Sequence, residues 1–319
     1  MPQTTMLPWN FKMPRIIKLS WKFKMPQTFM LPRNFNLPLN INLSWNFSLL
    51  WLLLACPLAV MAQGSEGETT GRSSLPARSD VTTTKTFLFG AGATNLLDTY
   101  LSPEKYRGTD YRLSSLSERR RDTSRVSFMQ MVNVSLQTAD NRSSNGNLLG
   151  GLASYAFGWH YRLQLFGERV ELQVGALADL SLGFVYSTRN GNNPAQLRAA
   201  ADVRPSVAAT CPFRLWRVPL SARLQADAPL CGLMFSPRYG QSYYEIFYRN
   251  DYDRNLVPTT FVSTPSVRYT LSLDFPLLGT TWRVGYMGDI RQSHVNDIKT
   301  HTWTHAAVVG FVWRVRNLP

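Results

Sequence analysis

The residues of this chain that could do chemistry are arginines and carboxylates placed on alternate positions of long period-2 stretches. Arg162, Arg198, Arg204, Arg223, Arg268, Arg283 and Arg291 stand against Glu171, Asp179, Asp202, Asp227, Asp274 and Asp289, most of them flanked by apolar neighbours. Seven bases nearly matched by six acids on one face of a set of strands predict a cross-linked polar interior. Buried pairs of this kind perturb pKa values without being catalytic. No catalytic residue is assigned among them.

Histidine adds little chemistry. His301 and His305 lie four apart, so a strand sets both on one face, yet about 13 Å separates them at strand rise and they cannot share a metal. They alternate in step with Trp303, which places them on an apolar face as rim polarity. No phosphate-cradling glycine loop, metal-type Cys/His cluster or nucleophile elbow is present, so the sequence assigns neither metal nor cofactor.

The elements that carry the charges are strands of unusual length. From Val170 to Tyr186 nearly every even-numbered residue is apolar, while Glu171, Gln173, Asp179 and Ser181 take the odd positions. Such a run is far longer than the five or six residues of an ordinary strand and suits a tilted membrane crossing with lipid-facing and lumen-facing residues in alternation. The pattern recurs over 153–165, 197–210, 218–228, 267–275, 282–289 and 303–315. In a soluble sandwich the charged face would be solvated and the apolar face shared. Here the apolar face is uniformly bulky and the other mixes Arg, Asp, Ser and Gly, as a narrow polar lumen would.

Short connections at Gly167-Glu168, Pro212 to Pro219 and Pro276 to Thr280 alternate with longer ones at Asp140 to Asn147, Ser187 to Gln196, Ser236 to Pro258 and Gln292 to Thr300. Eight strands follow Arg125. Thr82 to Ala93 and Tyr106 to Ser117 supply two more. The reading is an all-β transmembrane antiparallel barrel of about ten strands, within a range of eight to twelve, with both termini periplasmic. Twelve applies if Gln241 to Tyr248 forms a further membrane hairpin. On this topology Phe213, Phe275, Trp282, Phe311 and Trp313 mark the periplasmic rim, and Phe184, Tyr186 and Trp303 the external one.

The longest external loop holds Arg238, Tyr239, Tyr243, Tyr244, Phe247, Tyr248 and Arg249, the residue types that dominate binding hot spots. They suit a glycan or lipopolysaccharide. A self-packed loop stiffened by aromatic pairs is the competing reading.

The amino terminus is organised differently. Residues 1–24 and 25–48 are a tandem duplication built on a six-residue unit, rich in Pro and Asn and free of acids, with no evident way to bury a core. It is expected to be absent from the mature protein. Leu49 to Ala62 reads as a signal-peptide hydrophobic region, too short for a membrane helix and ending in small residues, which predicts Sec export. Residues 63–81 follow as a flexible segment, and the barrel occupies 82–319. Removing residues 1–62 takes six bases and no acids from the +14 chain, leaving 28 bases against 20 acids. Export turns that basic balance away from nucleic acid and toward the anionic lipid and lipopolysaccharide of an outer membrane. Cys211 and Cys231 then remain, too far apart on the strands to pair, and are expected to be free.

The segment Gly90-Ala91-Gly92, then Asn95 to Pro103, Tyr106-x-Gly108-Thr109 and Arg119-Arg120-Arg121 resembles an uncharacterised Bacteroidota outer-membrane family, a domain of unknown function. The resemblance spans roughly Thr82 to the end; it implies a barrel and supplies no catalytic residues. The sequence therefore points to an outer-membrane barrel with a filled polar lumen, structural or envelope-binding in role. An outer-membrane hydrolase or lipid A modifying enzyme is the second reading, and a narrow-substrate channel the third.

Overall fold

A computed structural model describes residues 81–317 except Glu168 and Asn192. The tandem repeat, the signal segment and the stretch to residue 80 lie outside the described residues. The elements are β1 (Val81–Asp98), β2 (Ser102–Arg121), β3 (Val126–Asp140), β4 (Asn147–Leu165), β5 (Val170–Ser187), β6 (Ala195–Leu215), β7 (Val218–Asp227), β8 (Cys231–Phe235), α1 (Tyr243–Phe247), β9 (Leu256–Thr260), β10 (Val267–Leu277), β11 (Thr280–Val295) and β12 (Ile298–Asn317).

Ten of the strands close into an antiparallel barrel in which β7 pairs β10, β12 returns to β1, and all other neighbours are consecutive. The face assignment follows from exposure. Val174, Leu180, Leu182, Phe184 and Tyr186 on β5 are each 40 to 52% exposed, whereas Asp179 between them is 1% exposed. A closed barrel leaves no edge in the hydrocarbon and satisfies every ladder bond between strands. The outward apolar band of this transmembrane barrel is bounded below by a run of rings, Phe87, Phe311, Trp313 and Trp282, in mutual edge contact.

β8 and β9 are continuations of β7 and β10. β7 pairs β6 as far as Ser206↔Asp227, and β8 resumes at Val203↔Cys231. The cause of the break is legible in the chemistry. Pro205 of β6 accepts from Ala228 N–H at 3.3 Å, so the donor it lacks would have pointed at the same neighbour. On the other side, residues 261–266 interrupt the ladder before β10 begins, and His294 N–H of β11 donates to the Ser263 carbonyl there at 2.9 Å. β9 pairs β8 alone, and among the described residues its second edge has no strand beside it.

Two connections differ from the sequence reading. The expected external loop over Gln292 to Thr300 is strand almost throughout, because Asn296 and Asp297 both take positive φ (52° and 62°) and close a two-residue hairpin turn between Val295 and Ile298. β6 likewise runs through Pro212 to Leu215, and its turn is confined to Trp216-Arg217. The Gln241 to Tyr248 segment forms no membrane hairpin; it contains α1, whose capping box joins Ser242 and Glu245. Cys211 and Cys231 are free. Cys231 lies opposite Val203, eight residues along β6 from Cys211, or about 26 Å at strand rise.

Candidate functional site: a bridged lumen beneath an aromatic platform

The inward side chains cross the lumen at three levels. At the end nearest the 236–255 segment Arg198 of β6 donates to Asp98 of β1 at 3.1 Å and to Thr302 at 2.7 Å, joining strands on opposite sides of the barrel. In the middle Arg268 donates to Asp227 and to Asp179, at 3.0 and 3.3 Å, and Arg204 reaches the same Asp227 at 2.5 Å. Beside them Asp289 accepts from Arg112 at 3.2 Å and from Arg291 at 3.0 Å. Toward the end where β1 begins, Arg223 donates to Glu118 at 3.2 Å across the full width, and Arg283 meets Asp274 in a two-pronged contact of 2.5 and 2.8 Å.

The structure thus brings Asp179, Arg198, Arg204, Arg223, Asp227, Arg268, Asp274, Arg283 and Asp289 into lumenal pairs. Asp202 also faces inward, but its approach to Arg204 is loose, at 3.9 Å. Two predicted members stand apart. Arg162 sits at the rim where β1 begins and donates to the carbonyls of Arg121 and Ser124, so it closes a turn instead of crossing the lumen. Glu171 lies at the same rim, 3.6 Å from Arg120.

Sequence reasoning missed Asp98, Asp110, Arg112 and Glu118, which are all buried. They lie on β1 and β2, where outward positions such as Ser115 and Ser117 replace bulky residues and blur the alternation. The lumen is also less polar than expected. Met129, Met131, Ala156 and Leu177 form one inward apolar cluster, and Leu88, Met287 and Val308 another. Gln225 donates to the Met129 sulfur and Arg112 to that of Met287, so the two kinds of packing interlock.

Above the lumen the 236–255 segment folds across the mouth. The Tyr243 hydroxyl accepts from Leu197 N–H of β6 at 2.7 Å, and its ring packs edge-on against Tyr100 beside β1. Tyr100 in turn donates to the Gln241 carbonyl at 2.9 Å. Burial pushes the Tyr100 phenol up to about 12, with the charges of Asp98 and Glu245 adding to the shift, and burial raises Tyr243 as well. Glu245 moves the other way, because the Ser242 backbone N–H and hydroxyl both donate to its carboxylate. Of the predicted loop residues, Tyr243 is therefore an anchor. Tyr239, Tyr244, Phe247 and Tyr248 are exposed; Tyr244 stacks on Tyr248 at 4.6 Å, and Arg249 lies 5.8 Å over the Tyr244 ring. Arg238 is tied to Asp251 at 2.5 Å.

His301 contacts Asn95 Oδ1 at 2.9 Å and His305 contacts the Tyr286 hydroxyl at 2.6 Å. Among the described residues no group of three or more His, Cys, Asp or Glu has the geometry to hold a metal ion.

Three solved structures illustrate the likeness of fold. The transport unit of the autotransporter AIDA-I from Escherichia coli is 8% identical at a TM-score of 0.36, over 81% of this chain and 97% of that one. The outer membrane protease OmpT from Escherichia coli is 8% identical at a TM-score of 0.39, over 74% and 97%. The translocator domain of the autotransporter NalP from Neisseria meningitidis is 9% identical at a TM-score of 0.34, over 83% and 97%. No curated protein sequence matches the chain. A family model described as "Protein of unknown function (DUF3316)" matches residues 48–319, and the chain belongs to that family.

Proposed function

We propose that this protein is an exported outer-membrane barrel that does not conduct and that presents the 236–255 segment to envelope glycan or lipopolysaccharide. The observation that carries the reading is the anchored platform. A loop fastened to both sides of the mouth through Tyr243 holds Tyr239, Tyr244, Phe247 and Tyr248 exposed, with Arg249 on the Tyr244 ring. Aromatic rings already ordered by stacking lose little entropy on binding and offer flat faces to sugar rings. The lumen bridges support the non-conducting half of the proposal. The hydrolase reading draws less support, since the two histidines on β12 are partnered by Asn95 and Tyr286.

The test is binding of the refolded barrel in detergent micelles to immobilised lipopolysaccharide. Tyr244→Ala with Arg249→Ala should weaken binding by about tenfold or more, as loss of hot-spot residues does. Unchanged binding by the double variant would remove the platform from the account.

A further inference from the structure

The rim where β1 begins carries a cluster of bases that the lumen does not use. Thr86 and Leu88 of β1 and Ser114 and Glu118 of β2 are buried, so Lys85, Arg119 and Arg121 share the outward parity of Phe87, Phe89 and Leu113. The register gathers them. Thr83 pairs with Arg119, Val81 with Arg121 and Lys85 with Ser117, so Arg119 stands diagonal to Lys85 across the β1–β2 ladder and next but one to Arg121 along its own strand. Such neighbours lie about 7 Å apart on one face. Arg125 follows in the turn to β3, where its guanidinium donates to the Tyr161 hydroxyl at 3.3 Å.

No carboxylate answers this cluster. Among the described residues Lys85, Arg119, Arg121 and Arg125 form no ion pair; the neighbouring acids are taken elsewhere, Asp122 by Arg316 at 3.5 Å and Glu171 by Arg120 at 3.6 Å. At the opposite end of the barrel exposed bases are matched, Arg238 by Asp251 and Arg254 by Asp253. Like charges on neighbouring strands destabilise a ladder. The cluster therefore costs the fold stability unless an anion sits on it.

Aromatic rings say which anion. Lys85 pairs with Trp313 of β12, whose ring meets Phe87 edge-on at 5.6 Å, and Arg119 pairs with Phe128 of β3, whose ring leans on Trp159 at 5.3 Å. Rings at the end of an outward apolar band settle at headgroup depth. Bases interleaved with them stand where lipid phosphates stand, and a guanidinium fork matches phosphate oxygens. A free phosphate would use the bases alone, whereas a lipid also covers the rings and the apolar wall beyond them, where Phe89 and Leu113 are 53 and 52% exposed. With no carboxylate to receive a choline or ethanolamine ammonium, the patch favours lipids of net negative charge. Its bases gather on two adjacent strands and suit one phosphate, while the two phosphates of a lipid A disaccharide stand at opposite ends of it. We propose that Lys85, Arg119 and Arg121 bind the phosphate of an anionic glycerophospholipid, whose acyl chains lie along Phe87, Phe128 and the outward face of β1 and β2.

Native mass spectrometry of the refolded protein in detergent, with phosphatidylglycerol or phosphatidylcholine added in equal amounts, reads the lipid retained and its affinity. Phosphatidylglycerol should bind at least about tenfold more tightly than phosphatidylcholine, as charge-assisted contacts allow. Lys85→Gln with Arg119→Gln and Arg121→Gln should bring the two lipids level. Arg119→Gln alone should cost phosphatidylglycerol about fivefold, the worth of one base beside an anionic headgroup. Lys105→Gln with Arg107→Gln and Arg142→Gln, an equal loss of charge at the opposite rim, should leave its binding unchanged, as should Tyr244→Ala with Arg249→Ala. Heat-modifiable mobility on gels reports whether each variant is folded; were the triple variant unfolded, the single variant and the comparison of the two lipids decide. Equal retention of the two lipids, undiminished phosphatidylglycerol on the folded variants, or its displacement by inorganic phosphate at matched ionic strength would overturn the proposal. Lipopolysaccharide displacing phosphatidylglycerol through the same three residues would overturn it too.

Discussion

Arg268 touches two carboxylates at once and is itself only 2% exposed, so its removal strands Asp179 and Asp227 in the interior. Breaking a buried pair by deleting one partner costs about 3 to 5 kcal/mol. Arg268→Leu should lower stability by that order in vesicle-based urea unfolding. Asp274→Asn should cost less, because it leaves one buried charge, Arg283, with a weakened partner where Arg268→Leu strands two carboxylates. At the mouth, Tyr243→Phe leaves the Leu197 N–H without its acceptor and should cost about 1 to 3 kcal/mol, read as faster proteolysis of the 236–255 segment. The tyrosines also set a pH window. The folded state holds the Tyr100 proton up to about pH 12, whereas the unfolded chain releases it near 10. Their contribution is thus complete below pH 10 and is lost as pH rises toward 12. Proteolysis of the loop should accelerate across that interval in the native protein and less so in Tyr100→Phe.

At the scale of the strand, β5 offers the sharpest test of which face meets lipid. Leu180 is 52% exposed beside the buried Asp179, and an arginine at the membrane midplane costs about 2 to 4 kcal/mol. Leu180→Arg should destabilise the refolded barrel by that amount in lipid vesicles, and a neutral effect would reverse the assignment of inside and outside. β5 was also the strand most legible in the sequence, since its even positions stay apolar while Glu171, Gln173, Asp179 and Ser181 hold odd ones, with Leu177 and Val185 the inward apolar exceptions. β2 was the least legible. Only Tyr111 and Leu113 give it a bulky outward pair, so its strand extended beyond the expected bounds and its inward Asp110, Arg112 and Glu118 went unnoticed. The Asn296-Asp297 turn was misread for a different reason. Polarity over Gln292 to Thr300 resembles a loop, but it belongs to two paired strands joined by residues that tolerate positive φ. The lumenal pairs on β5, β6, β7, β10 and β11 could be read because alternation fixes which residues point inward. Which arginine meets which carboxylate across the lumen could not, since Arg268–Asp179 and Arg112–Asp289 join positions 89 and 177 apart in the chain.

For the whole molecule, the central claim is that a barrel wide enough to hold a pore has been filled. The Arg198–Asp98 and Arg223–Glu118 pairs cross it between opposite strands, Arg268–Asp179 reaches over the middle, and apolar clusters occupy the space between. Paired charges at this density cost desolvation that an open, hydrated lumen would avoid, so their presence marks an interior from which bulk water is excluded. The folded protein should also keep its barrel in detergent and show heat-modifiable mobility on gels, as closed strand ladders resist unfolding until heated. Conductance across a planar bilayer tests the claim most directly. The refolded protein should insert and remain silent, with no unitary current steps at either polarity; reproducible single-channel steps from the unaltered chain would show that the bridges do not close the lumen and would contradict the account.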